Sequence, residues 1–174
     1  ATVQRNMPRQ EEVLAACMVA LKALAVEDDE ESSANLFEWL AEEDGVSAVA
    51  AAVKKHPKLV SSAKTGIQLM GVLALSPNSH NELINNDGIE AAVGGLKRNN
   101  GDVGMNNATV QMYGRLALDP LGAAEVAGRG GVKALVDVLR KKAANDEFIQ
   151  PAVSTFNLIV DAAQNSSPAL ATMR

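Results

Sequence analysis

Apolar residues recur along this chain at helical spacing, and the spacing itself recurs. Val46, Val49 and Val53 keep a three-to-four residue step, as do Val132, Leu135, Val136 and Leu139. Such a stripe turns one face of a helix toward a core. Glycines mark where the second helices begin: Asp44-Gly45-Val46, Asp87-Gly88-Ile89 and Gly130-Gly131-Val132 stand 43 residues apart. Downstream, Gly71-Val72-Leu73-Ala74-Leu75-Ser76-Pro77 returns 43 residues later as Gly114-Arg115-Leu116-Ala117-Leu118-Asp119-Pro120. Segments 44–77 and 87–120 are identical at 11 of 34 paired positions, where ordinary usage gives roughly two or three. A third copy is in phase, with Val153, Phe156 and Ile159 under Val110, Tyr113 and Leu116. The period sets how everything else is read.

Each period predicts three helices. A short one spans Asn78 to Asn85, then Gly122 to Gly128. After the glycine turn a second helix runs from Ile89 to Lys97, or from Val132 to Lys142. It closes on Lys54-Lys55, Lys97-Arg98 or Arg140-Lys141-Lys142, cations that suit the negative end of the helix dipole. The third helix is longest: Val60 to Leu75, Met105 to Leu118 and Glu147 to Ala162. Pro77 and Pro120 are expected to stop the first two, and Pro151 to sit in the first turn of the last. Gly71 and Gly114 fall inside third helices, where glycine costs up to about 1 kcal/mol against alanine; close approach of neighbouring helices is the expected compensation. One such unit cannot bury its stripes alone, so copies must stack.

The short helix, glycine turn, medium helix and long helix resemble the armadillo repeat, most closely at Asn81-Glu82-Leu83-Ile84-Asn85-Asn86-Asp87-Gly88-Ile89-Glu90-Ala91-Ala92-Val93. The resemblance implies an all-α fold, an armadillo-like right-handed α-solenoid whose concave face is lined by third helices. The whole chain, 1–174, reads as one such domain. Residues 10–25 form a lone third helix of a preceding repeat; 33–76, 77–119 and 120–163 are full repeats; 164–174 begin an incomplete one. Eight extra residues, within the acidic stretch Glu27 to Ser33, separate the lone helix from the next glycine turn.

Composition narrows the function. A hydrophobic fraction of 47% supports a core. Phe37, Trp39, Tyr113, Phe148 and Phe156 are the only aromatic residues, too few for a sheet sandwich or for base stacking. A net charge of -5 argues against nucleic acid as a partner. Cys17 has no internal disulfide partner, which suits a reducing, cytoplasmic setting, and the resemblance implies a eukaryotic one. No apolar run approaches the roughly 20 residues of a membrane span, and no signal peptide opens the chain, so no membrane insertion is expected. Glu27 to Glu31 would dock a basic partner, restrain a basic tail, or form a solvated loop. Phe37 and Trp39 follow it, as an end cap of the stack or as part of an interface.

Sites of chemistry are sparse. His56 and His80 fall in expected turns and Cys17 stands alone, so neither a metal nor a cofactor is expected. Ser61-Ser62-Ala63-Lys64 has the spacing of a Ser-x-x-Lys element but no companion motif, and no enzyme is expected. Gly128-Arg129-Gly130-Gly131 is glycine-rich before a helix, which suits either a phosphate cradle or the repeat's own turn.

Residues at i, i+4 and i+8 share a helix face. The third helices therefore present Lys64, Gln68 and Val72, then Asn107, Gln111 and Arg115, then Gln150, Ser154 and Leu158. Amide side chains there can donate to and accept from a peptide backbone; the same rows would also serve as a merely solvated face. Armadillo import receptors carry tryptophan and asparagine ladders, whereas Gln68/Val72, Gln111/Arg115 and Ser154/Leu158 occupy the matching positions here, so import-signal recognition is not implied. The expected function is a non-catalytic scaffold or adaptor that binds an extended protein or peptide in the concave groove. The alternatives are a ligand-sensing or autoinhibitory domain of a larger protein, or a chaperone-like client binder. Apolar residues at the ends (Val13, Leu14, Cys17, Val19 and Leu21; Phe156, Leu158, Ile159 and Val160) predict weak self-association, since only Pro168 to Arg174 follows the last helix.

Overall fold

Asp44, Asp87 and Gly130 all adopt the left-handed conformation, at φ 55, 60 and 85°. Each is followed by a glycine for a steric reason. A Cβ on Gly45, Gly88 or Gly131 would lie 2.8 Å from the carbonyl oxygen of Leu40, Leu83 or Val126 respectively. No side chain fits there, so the turn recurs wherever the Asp-Gly or Gly-Gly pair does.

The structure, a computed structural model, describes residues 16–20, 22–23, 40, 44–99, 101–141 and 146–166. These are helical apart from their connections, and they contain no strand. The helices are α1 (Gly45–Lys55), α2 (Val60–Leu73), α3 (Pro77–Asn85), α4 (Gly88–Arg98), α5 (Val103–Leu116), α6 (Pro120–Gly128), α7 (Gly131–Lys141) and α8 (Asp146–Ser166). Residues 16–20 and 22–23 are helical as well. Every element from α1 to α5 starts 43 residues before its counterpart.

Several helix boundaries differ from the sequence expectation; α5 and α6 begin at Val103 and Pro120, two residues before the expected Met105 and Gly122. Helices α2 and α5 end at Leu73 and Leu116, two residues early. The N–H groups of Leu75 and Ser76 turn back to Val72 and Leu73, and those of Leu118 and Asp119 to Arg115 and Leu116. These tighter i→i+3 turns satisfy carbonyls that the helix leaves open. Pro77 and Pro120 consequently do not stop the long helices; they occupy the first positions of α3 and α6, where a missing N–H is harmless. Pro151, expected in a first turn, lies inside α8, which continues to Ser166 across the expected repeat boundary at 163.

Each helix packs on its counterpart one period away: α1 on α4 and α4 on α7, α2 on α5 and α5 on α8, α3 on α6. The core between them holds Ile67, Met70, Leu73, Leu83, Ile89, Leu96, Met112, Tyr113 and Leu135, all fully buried. Close approach depends on glycines other than those anticipated. A Cβ on Gly66 would overlap a Val53 methyl, and one on Gly95 would lie 2.8 Å from Ile67 Cδ1. At Gly71 it would find ordinary contact, 3.6 Å from Met112 Cβ; at Gly114 it would press Thr155 Oγ1 at 3.0 Å.

The α7 stripe also shifts. Ala134, Leu135 and Val138 are buried, while Val132, Val136 and Leu139 are only partly so. Near the chain's two ends, Ile159 belongs to the core and Phe156 and Val160 are half-buried; Val153 and Leu158 are the exposed apolar pair of α8. On the first helix Met18 is buried and Cys17 is exposed. Val13, Leu14, Leu21, Glu27 to Glu31, Phe37, Trp39, Lys142 and Pro168 to Arg174 lie outside the described residues. No described helix is long and apolar enough to cross a membrane.

Candidate functional site

Helices α2 and α5 are enclosed on nearly every side. In α2 the positions from Ser62 to Leu73 are buried except Lys64, Gln68 and Val72. In α5 the positions from Met105 to Leu116 are buried except Asn107, Gln111, Gly114 and Arg115. Counterparts above and below cover two sides and the shorter helices a third, which leaves one strip per helix. On α8 the corresponding Gln150, Ser154 and Leu158 are all exposed. All nine candidate residues therefore stand outside the core, in three ranks on adjacent helices.

Several of them bridge neighbouring helices. Lys22 Nζ donates to Gln68 Oε1 at 2.6 Å. Lys64 faces Asp102 at 3.6 Å, its stem crossing Gly104, where a Cβ would come within 2.9 Å. The Arg115 guanidinium donates to the main-chain carbonyl of Gly71, and burial moves its pKa below the usual arginine value. Asn107 Oδ1 is covered and accepts no hydrogen bond. Gln111 is exposed at the centre of the strip and keeps its amide available.

At the end of the strip lies a cleft of about 420 Å³ between successive units, lined by Leu75, His80, Asn81, Arg115, Leu118 and Asp119. Leu75 is 58% and Leu118 72% exposed. Exposed leucines at matching positions in two copies mark a binding patch better than scattered ones would. Leu75 and Leu118, which helical spacing places at the ends of long helices, instead line this cleft. The available signal was the Leu-Ala-Leu-x-Pro element that both copies share.

The chemistry candidates find other uses. His80 lies on α3, not in a turn, and its Nε2–H donates to the Ala74 carbonyl at 2.6 Å. His56 is the C-terminal cap of α1. Arg129, within the glycine-rich segment, is held by Glu125 at 2.6 Å and Glu90 at 2.9 Å, and Gly130 supplies the left-handed turn. Ser61, the serine of the Ser-x-x-Lys spacing, is exposed, and its Lys64 is engaged by Asp102. Tyr113 is fully buried, its hydroxyl donating to Ile89 O at 3.2 Å; burial, with Glu90 adding to it, pushes the phenol far above its ordinary pKa. Among the described residues no group of three histidines, cysteines or carboxylates is placed to hold a metal ion.

Compared with protein-family models, curated proteins and solved structures, the chain matches none.

Proposed function

We propose that this protein is a non-catalytic interaction module, an armadillo-like right-handed α-solenoid that holds an extended polypeptide along α2, α5 and α8. One observation carries the reading: α2 and α5 are sealed on all sides but one, and their open strips, with the exposed face of α8 beside them, present Lys64/Gln68, Asn107/Gln111 and Gln150/Ser154 in register. Packed helices lie roughly 8–10 Å apart, about the length of three extended residues, so each rank meets every third residue of a bound chain. Gln111 offers both a donor and an acceptor to its backbone. The Leu75/Leu118 cleft accepts one apolar side chain where the strip ends.

Peptide display against the protein, followed by chemical-shift mapping of a selected sequence, tests this. The expected footprint runs through Gln68, Gln111 and Ser154. A footprint that avoids all three would overturn the proposal. The cleft also favours a second reading, a ligand-sensing domain; that reading predicts a footprint confined to His80, Asn81, Arg115 and Leu118.

A further inference from the structure

The second helices end on pairs of cations: Lys54 and Lys55 on α1, Lys97 and Arg98 on α4, Arg140 and Lys141 on α7. A helix C-terminus carries about half a negative charge, so two full cations per end exceed what the dipole requires. All six side chains are exposed, and the three helices stack in order. The cations therefore form a ridge in a protein whose net charge is -5.

Described carboxylates near this ridge are few: Glu90 acts on Lys54 besides Asp87, and Asp137 lies one turn before Lys141 on α7. Among the described residues, Lys54 alone of the six has an ion-pair partner, Asp87, at 2.7 Å. The position that would pair Lys97 in the same way, 43 residues past Asp87, is Gly130. Between the first two units the ridge opens into a cleft of about 360 Å³, walled by Lys55, His56, Lys58 and Arg98. Its floor, the turn after α1, is tied to the next unit by Asn99 Nδ2, which donates to Pro57 O at 2.8 Å.

We propose that this ridge docks an extended acidic peptide carrying a carboxylate at every third residue. The spacing follows from the stack. Neighbouring helices stand roughly 8–10 Å apart. A polyproline II chain turns once every three residues and rises about 3.1 Å per residue, so every third side chain returns to one side about 9 Å further on. Such a peptide places one carboxylate on each cation pair in turn. A single row of charges at this step suits an acidic peptide better than a nucleic-acid backbone, and the protein's negative charge repels large polyanions. The ridge lies on helices other than the proposed groove, so either surface can fail alone.

A fluorescent (Glu-Pro-Pro)n peptide, titrated into the whole chain by anisotropy, tests the proposal. A (Glu-Pro)n peptide of equal charge controls for spacing, and duplex DNA and anionic lipid vesicles control for general polyanion binding. The expected result is saturable, salt-sensitive binding of (Glu-Pro-Pro)n, weaker binding of the control peptide, and about tenfold loss in the Lys97→Gln/Arg98→Gln variant. Should that variant lose helicity by circular dichroism, Lys55→Gln/Arg140→Gln reads the same ridge. Equal affinity for both peptides, equal or tighter binding of DNA or vesicles, or undiminished binding in a folded variant would overturn it.

Discussion

Arg115 caps the end of a helix to which it does not belong. Its guanidinium donates to the carbonyl of Gly71, in the last turn of α2. That carbonyl needs an outside donor because the N–H four residues on, at Leu75, bonds to Val72 instead. The contact crosses the interface between two units, and the next junction does not repeat it: Leu158 stands at the position equivalent to Arg115. A residue that looks from its spacing like a cation free for a partner thus spends part of its donor capacity on the fold.

Replacing Arg115 with leucine, the residue of the next copy, should lower unfolding stability by about 1–2 kcal/mol, since a partly covered carbonyl loses its charged donor. Urea denaturation measures this. An unshifted midpoint would mean that water serves the Gly71 carbonyl equally well.

Glycine substitutions should divide by the space around them. Gly71→Ala meets only ordinary contacts and removes chain entropy from the unfolded state, so it should stabilise by about 0.5–1 kcal/mol. Gly66→Ala strikes Val53, and Gly88→Ala strikes the Leu83 carbonyl at 2.8 Å; each should destabilise by about 1–3 kcal/mol. Thermal melts that rank the three variants otherwise would contradict the packing described.

The Lys54–Asp87 pair predicts a pH response. Its hydrogen bond, then its charge, lowers the Asp87 pKa below the ordinary 3.8 and raises that of Lys54 above 10.5. The carboxylate's share of stability is therefore present above pH 3.8 and is lost as the pH falls through the depressed folded value. The lysine's share is complete below pH 10.5 and is lost as the pH rises through the elevated one. Both groups are exposed, so the effect is small and fades with salt. Asp87→Asn should show a shallower acid-side fall in thermal midpoint than the parent; matching acid limbs would discount the pair.

Binding and stability should separate at the open strip. Gln111→Ala and Leu118→Ser change exposed side chains, so unfolding free energy should move by no more than about 0.5 kcal/mol. Affinity for a peptide selected on the protein should fall in both variants, measured by calorimetry. Retained affinity in both would move the binding surface away from α5.

Much of the fold was legible because a period repeats its physics. A left-handed turn followed by a residue with no room for a Cβ demands a pair such as Asp87-Gly88, and three such pairs at equal spacing locate three turns without any long-range information. The i, i+4, i+8 rows were legible for the same reason: Lys64, Gln68 and Val72 lie on one side of any helix that contains them. Local spacing says nothing, however, of what each side chain meets across the interface.

Amino-acid order alone thus determined the helices, their 43-residue register and which residues share a face, since backbone sterics and helical geometry act over a few residues. Only the tertiary structure decided that α2 and α5 end two residues early and leave Leu75 and Leu118 over a cleft, that Gly66 rather than Gly71 permits the close approach, and that Arg115 reaches Gly71. Those outcomes depend on the offset between stacked helices, set by the summed packing of side chains from both units, and no single stretch of chain encodes it.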